Sequence, residues 1–209
     1  MKSIILLGAP GSGKGTQAQQ LTQFGLTKIS TGDLIRDEIA RETSLGMEVK
    51  SLVSSGALVP DELIFRIFRE ALSSATTGFI ADGFPRTLNQ AKMFENLLTE
   101  LHLPAPKVVF LDLNLDVLMK RILGRRTCSK CSKVYNIYFN PPVSENICDS
   151  DGATLMQRED DKESVIQNRF KLYQQEIEPV LGFYGNRVIK LDATEAPDKV
   201  FERISSDVR

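Results

Sequence analysis

The chain has a single histidine, three cysteines and no apolar run approaching the roughly 18 residues that a membrane span needs. Its first apolar stretch, Ile4 to Leu7, is too short for a secretory or spanning segment, so the sequence reads as cytosolic, with no membrane partner. An odd number of cysteines in such a chain argues against a disulfide framework. Neither sign of charge dominates. With 26 basic and 27 acidic residues there is no polybasic field to hold nucleic acid nonspecifically. The lone histidine, His102, lies just before Pro104 at the end of a helical stretch and reads as solvated or as a helix-terminal cap. No internal repeat, low-complexity tract or heptad seam is visible, and a monomer is the default expectation.

What is present is enough for one sizeable core: 209 residues, 42% of them hydrophobic. Short β-branched runs at Ser3–Leu7, Thr27–Ser30, Phe79–Ala81, Lys107–Leu113 and Val188–Leu191 read as strands buried on both faces. Helical spacing fills about 15–24, 33–42, 61–74, 87–101, 116–124, 163–183 and 197–207 between and after them. The alternation predicts an α/β fold, a five-stranded parallel sheet flanked by helices. Two segments interrupt it and read as insertions. Residues 30–59 are helical and polar, punctuated by Gly46 and Gly56; residues 124–161 carry all three cysteines, Pro141–Pro142 and several turn formers.

The first strand runs into Gly8-Ala9-Pro10-Gly11-Ser12-Gly13-Lys14-Gly15-Thr16 and then a helix. Strand, glycine-rich loop and helix in that order make a phosphate cradle: backbone N–H groups and a helix N-terminus face the anion, and Lys14 adds a full charge. The usual pattern has Ser or Thr directly after the lysine. Here Gly15 follows, which leaves no direct hydroxyl ligand for Mg²⁺ at that position, so Asp82, at the end of the third strand, is expected to orient a water of the ion or else to cap a turn. Asp82-Gly83-Phe84-Pro85-Arg86-Thr87 and Ser30-Thr31-Gly32-Asp33, with Arg36, leave strand ends in the same way. Ligands in open α/β sheets bind at those ends. One nucleoside triphosphate needs one cradle, so further strand ends carrying arginines suggest a second phosphorylated ligand. Arg121 and Arg125, four apart, are expected to share one helix face, and the planar guanidinium suits bidentate phosphate contacts. Thr87-x-x-Gln90 also reads as a capping box.

Taken together, GAPGSGKGTQA at 8–18, STGDLIR at 30–36, LVPDEL at 58–63, DGFPRT at 82–87, GRR at 124–126 and Asp160–Asp161 resemble the adenylate kinase family, in order and across essentially the whole chain. The resemblance implies a P-loop NTPase core made of residues 1–29, 60–123 and 162–209, a nucleoside-monophosphate-binding insertion at 30–59 and a lid at 124–161. It implies ATP and AMP as substrates, ADP as product, and Mg²⁺ carried with ATP. For ATP it implies Pro10, Gly11, Ser12, Gly13, Lys14, Gly15, Thr16, Arg121, Arg125, the backbone of Val134 and Tyr135 and, by family position only, a backbone contact near Thr194 or Glu195. For AMP it implies Thr31, Arg36, the backbone of Ala57, Leu58 and Val59, Gly83, Phe84, Pro85, Arg86 and Gln90. Arg158 and Arg169 would reach the transferring phosphate from the lid and the following helix. Such a reaction needs alignment and charge neutralisation rather than a general base, which suits a chain with one histidine.

Cys128-x2-Cys131, sixteen residues, then Cys148-x2-Asp151 is a paired-knuckle spacing that suits tetrahedral Zn²⁺. Four protein ligands leave no open position, so the site reads as structural, though iron also suits thiolates. Part of the adenylate kinase family looks similar, with three cysteines and an aspartate holding zinc in a long lid. A nucleic-acid zinc finger is disfavoured, because Lys130 and Lys133 are offset by Glu145, Asp149 and Asp151. Two other functions fit the same motifs: a kinase for UMP, CMP or another monophosphate, and a nucleotide-responsive binding module.

Overall fold

The computed structural model describes residues 3–75 and 77–208. Five parallel strands form the central sheet: β1 (Ile4–Gly8), β2 (Thr27–Ser30), β3 (Phe79–Asp82), β4 (Lys107–Asp112) and β8 (Val188–Asp192), in the order β2-β3-β1-β4-β8. The period of two in each strand sends alternate residues to opposite faces. Ile5, Leu7, Ile29, Ala81, Val108 and Phe110 join one core cluster, and Ile4, Leu6, Ile80, Val109 and Leu111 join the other. That is why the strand runs read as continuously apolar.

Helices cover both faces. One face carries α1 (Lys14–Leu21) and α8 (Pro197–Val208); the other carries α4 (Asp61–Ser73), α5 (Leu88–Glu100) and the C-terminal half of α7 (Glu163–Tyr184). Four phenylalanines form the centre of the second layer. Phe68 stacks on Phe84 with ring centroids 4.4 Å apart, and Phe94 lies 4.9 Å from Phe68 and 5.4 Å from Phe84. Phe79 completes the group at 5.8 Å from Phe94. Buried rings of this size supply much of a core's burial free energy. Here they also anchor the loop after β3.

Residues 30–59 hold α2 (Thr31–Ala40) and α3 (Ser44–Ser55), capped by the side chains of Ser30 and Thr43. Gly46 does not break this segment. It sits inside α3, where an added Cβ would lie 2.1 Å from the Glu38 backbone oxygen, so the glycine permits close contact between the two helices.

Between α6 (Leu115–Leu123) and α7 lies a second, antiparallel sheet of β5 (Arg125–Cys128), β6 (Val134–Asn136) and β7 (Leu155–Met156), in the order β6-β5-β7. Its buried cluster is small: Cys128, Tyr135, Cys148 and Leu155. Arg121 and Arg125 therefore do not share a helix face, contrary to the sequence expectation. Gly124 caps α6, and Arg125 begins β5 opposite Asn136. Among the described residues no helix is long and apolar enough to cross a membrane.

Candidate active site

The loop between β1 and α1 lies at the carboxyl end of the sheet's central strand. Gly13 adopts φ 95°, in the left-handed region that glycine enters without strain, and turns the backbone into the helix start. Lys14 opens that helix, and its Nζ donates to the loop carbonyls of Gly8 at 2.8 Å and Ala9 at 2.9 Å. Two of its three donors are thus spent on shaping the loop. Loss of hydration lowers its pKa from 10.5 to about 8, against the opposing pull of Asp82. Ser12 is buried within the loop, and its hydroxyl has no hydrogen-bond partner. Thr16 is exposed on α1. A Cβ on Gly15 would lie 3.5 Å from Asp82 Oδ2. The position after the lysine therefore faces the carboxylate that ends β3.

A cleft of about 1170 Å³, counting its open mouth, runs from this loop toward the 30–59 insertion. Lys14, Arg36, Arg86 and Arg169 line its polar side together with Asp160; Ile35, Val53, Leu58, Val59 and Ile64 make an apolar wall. Pro10, Thr31, Ala57, Gly83, Pro85 and Gln90 also line it, so most of the residues expected to contact AMP meet in one space. Phe84 is the exception: its ring is fully buried in the phenylalanine cluster, and it holds the loop from beneath.

Arg36, Arg125 and Arg169 are positioned by carboxylates, Arg86 by a carbonyl and Arg158 by a hydroxyl. Arg86 Nε donates to Gly83 O at 2.8 Å. It is open to a ligand yet ringed by protein, and poor hydration with Arg169 nearby brings its pKa down to about 10, still charged at neutral pH. Arg36 pairs with Asp33, which also accepts from Lys28 at 2.9 Å. Burial would raise the Asp33 pKa, but the two cations outweigh it and hold the carboxyl well below its usual range.

Arg125 grips Asp161 through two bonds, Nε to Oδ2 at 2.7 Å and Nη2 to Oδ1, and Asp161 is fully buried. Burial opposes the Arg125 charge, but Asp161 more than compensates and raises its pKa. Arg169 donates to Asp160 Oδ2 at 2.6 Å. Arg158 Nε reaches Thr127 Oγ1 at 3.1 Å, and burial followed by Arg125 and Arg36 lowers its pKa to about 10. Lys14, Arg36, Arg86, Arg125, Arg158 and Arg169 thus come from separate parts of the chain into one mutually repelling field. Such a field is costly in the empty protein and suits a polyanion.

The expected ATP contacts converge less. Arg121 stands beside the loop, 4.0 Å from where a Gly13 Cβ would be, with its guanidinium 5.9 Å from the Phe139 ring centroid. Val134 is exposed on β6. Tyr135 is buried, its hydroxyl 3.5 Å from Cys148 Sγ and accepting from Asp149 N at 2.9 Å. Glu195 pairs with Arg203 at 2.9 Å.

In the small sheet, one ligand atom from each of Cys128, Cys131, Cys148 and Asp151 lies within 4.8 Å of all the others. Cys131 and Cys148 sulfurs are 3.6 Å apart, too far for a disulfide and close to the roughly 3.8 Å edge of a tetrahedron with metal–sulfur bonds of about 2.3 Å. The backbone N–H groups of Lys130 and Cys131 point at Cys128 Sγ at 3.3 and 3.4 Å, as suits a sulfur carrying negative charge.

The carboxylates at 33, 61, 160 and 161 were not given roles by their sequence context. Each sits at a helix start, where an acidic residue already has a sufficient reason to be. Only the fold reveals their partners.

A family model described as adenylate kinase matches residues 6–189. The adenylate kinase of Hydrogenobaculum sp. (strain Y04AAS1) is 41% identical over 207 residues, covering 97% of this chain and 98% of the relative. That of Thermodesulfovibrio yellowstonii is 42% identical over 206 residues, 96% of each chain. That of Bacillus subtilis (strain 168) is 42% identical over 188 residues, 88% of this chain and 87% of the relative. The matched span takes in the phosphate loop, the arginine-lined cleft and the small cysteine-bearing sheet. On that extent of likeness the chain belongs to the adenylate kinase family of enzymes.

Proposed function

We propose that this chain catalyses reversible transfer of the γ-phosphoryl group of MgATP to AMP, giving two ADP, by direct in-line displacement. The observation that carries the reading is the cleft in which Lys14, Arg36, Arg86 and Arg169 face an apolar wall of Ile35, Val53, Leu58, Val59 and Ile64. An oxygen of the AMP phosphate forms the new bond to the γ-phosphorus as the bond to the β-phosphate oxygen breaks. That oxygen is already ionised near neutral pH, so no residue need remove a proton. Lys14 and the arginines neutralise charge on the transferring group, and their carboxylate, carbonyl and hydroxyl partners fix their directions before substrate arrives. Mg²⁺ brought with ATP would add charge neutralisation on the phosphates, and Asp82 beside Gly15 is the residue to hold its water.

In this reading residues 30–59 are the monophosphate flap, closing through Thr31, Arg36 and the 57–59 backbone. Residues 124–161 are the lid, bringing Arg125 and Arg158. Closure of both would exclude water, whose attack would waste ATP. Cys128, Cys131, Cys148 and Asp151 would hold Zn²⁺ as a structural ion, since four protein ligands complete a tetrahedron.

The test is ATP consumption with Mg²⁺ in a coupled ADP assay, run with AMP, GMP, UMP and CMP in parallel. Rapid turnover with AMP alone is expected. Turnover with another monophosphate instead would keep the mechanism and overturn the base assignment. Nucleotide binding without turnover would overturn the enzyme mechanism. Metal analysis of the purified protein should find one zinc per chain; iron in its place would preserve the structural role.

A further inference from the structure

Gln90 is buried, yet it lines the cleft next to the apolar wall. Its carboxamide is held at both ends. Oε1 accepts from the Arg86 backbone N–H at 2.7 Å, and Nε2 donates to Asp61 Oδ1 at 2.7 Å. A carboxylate only accepts and a backbone N–H only donates, so the two contacts admit one orientation of the amide and forbid its flipped form. Asp61 is itself fixed: Asn89 Nδ2 donates to its Oδ2 at 2.8 Å and Thr87 Oγ1 at 3.2 Å. After these bonds Gln90 keeps one N–H and one acceptor site unspent, in a set order.

We propose that Asp61 is a specificity-determining positioning residue, which locks Gln90 so that its spare acceptor and spare N–H match a 6-aminopurine edge. That edge offers an amino donor beside a ring-nitrogen acceptor. A 6-oxopurine offers the reverse, a carbonyl acceptor beside a ring N–H, and would meet like against like at both atoms. Rejection comes from the lock, because an amide free to flip would serve either base. The proposal rests on the reading of this cleft as the AMP site.

The experiment compares kcat/KM for AMP and GMP in the intact enzyme and in Asp61→Ala. The unsubstituted enzyme should strongly prefer AMP. Asp61→Ala should lower the AMP-to-GMP ratio by about 10-fold or more, through KM for the monophosphate, with KM for ATP unchanged. On a Gln90→Met background, Asp61→Ala should change the ratio no further. An unsubstituted enzyme without AMP preference would overturn the AMP reading itself. A preserved ratio in Asp61→Ala, or equal losses with and without Gln90, would overturn only the role of Asp61. If Asp61→Ala fails to fold, NMR of the unsubstituted protein decides: the Gln90 side-chain amide proton donated to Asp61 should exchange with solvent far more slowly than that of a free glutamine. Exchange of both protons at the free rate would overturn the lock.

Discussion

Lys14 has two of its donors on loop carbonyls, and its pKa is lowered by burial to about 8. Its charge is therefore costly until phosphate arrives. Lys14→Met should cut turnover by about 10²–10³-fold while barely changing the KM for AMP, measured by steady-state kinetics. Unchanged turnover would remove the loop from the mechanism. ATP should also raise the lysine's pKa, so binding near pH 8.5 should take up a fraction of a proton. Calorimetry in buffers of different ionisation enthalpy would read that uptake, and Lys14→Met should abolish it. In the empty protein the sign is fixed by the depressed value. The unfolded chain keeps the proton up to about 10.5 and the fold releases it near 8, so this group's contribution to stability rises with pH across that window. Asp161 acts through its ion pair. Asp161→Asn would leave Arg125 partly buried without its bidentate partner, a change expected to cost about 3–5 kcal/mol and to lower Tm by about 2–4 °C per kcal/mol. Lys14 was legible in the sequence because a glycine-rich loop has few other uses. Asp161 had no such mark, since its partner lies 36 residues away in sequence.

Elements were legible where their period was clean, and less so where a residue had two meanings. The central strands β1, β3 and β4 alternate between the two clusters, so both their faces read as apolar, and all five strands were located to within a residue or two. Gly46 looked like a break because glycine disfavours helix. Its real constraint is the Glu38 carbonyl of the neighbouring helix. Gly46→Ala would gain about 1 kcal/mol of helix propensity, but a Cβ 2.1 Å from backbone cannot be relieved by a rotamer change. Overpacking of about 1–3 kcal/mol should win, with a lower Tm and a weaker AMP affinity as α3 is displaced. A variant more stable than the parent would mean that α2 and α3 separate freely. The helix-face expectation for Arg121 and Arg125 failed for a related reason. Continuing α6 past Gly124 competed with pairing Arg125 into β5 and with the grip of Asp161, and those tertiary contacts won.

At the scale of the molecule, the two sheets are unequal. The central sheet is buried between helices, whereas the cysteine-bearing sheet has a buried cluster of Cys128, Tyr135, Cys148 and Leu155 and exposes Val134, Tyr138, Phe139, Val143 and Met156. So small a core cannot hold three short strands in place, and a metal would supply the missing cross-links. Chelation should therefore lower Tm and raise hydrogen exchange across 125–156 before the central sheet responds, with turnover kept at low temperature. Immediate loss of all activity with the fold intact would make the metal catalytic.

The sequence by itself determined the kind of fold, the phosphate loop and the cysteine cluster. These depend on residues close together in the chain, where spacing translates directly into geometry. Only the tertiary structure decided which carboxylate positions which arginine, that Phe84 belongs to the core and that Gln90 is fixed by Asp61. Apart from the local Arg36–Asp33 pair, those pairings join residues brought together by the packing of β3, β5, α4, α5 and α7. An aspartate at a helix start looks the same in sequence whether it faces water or a buried guanidinium.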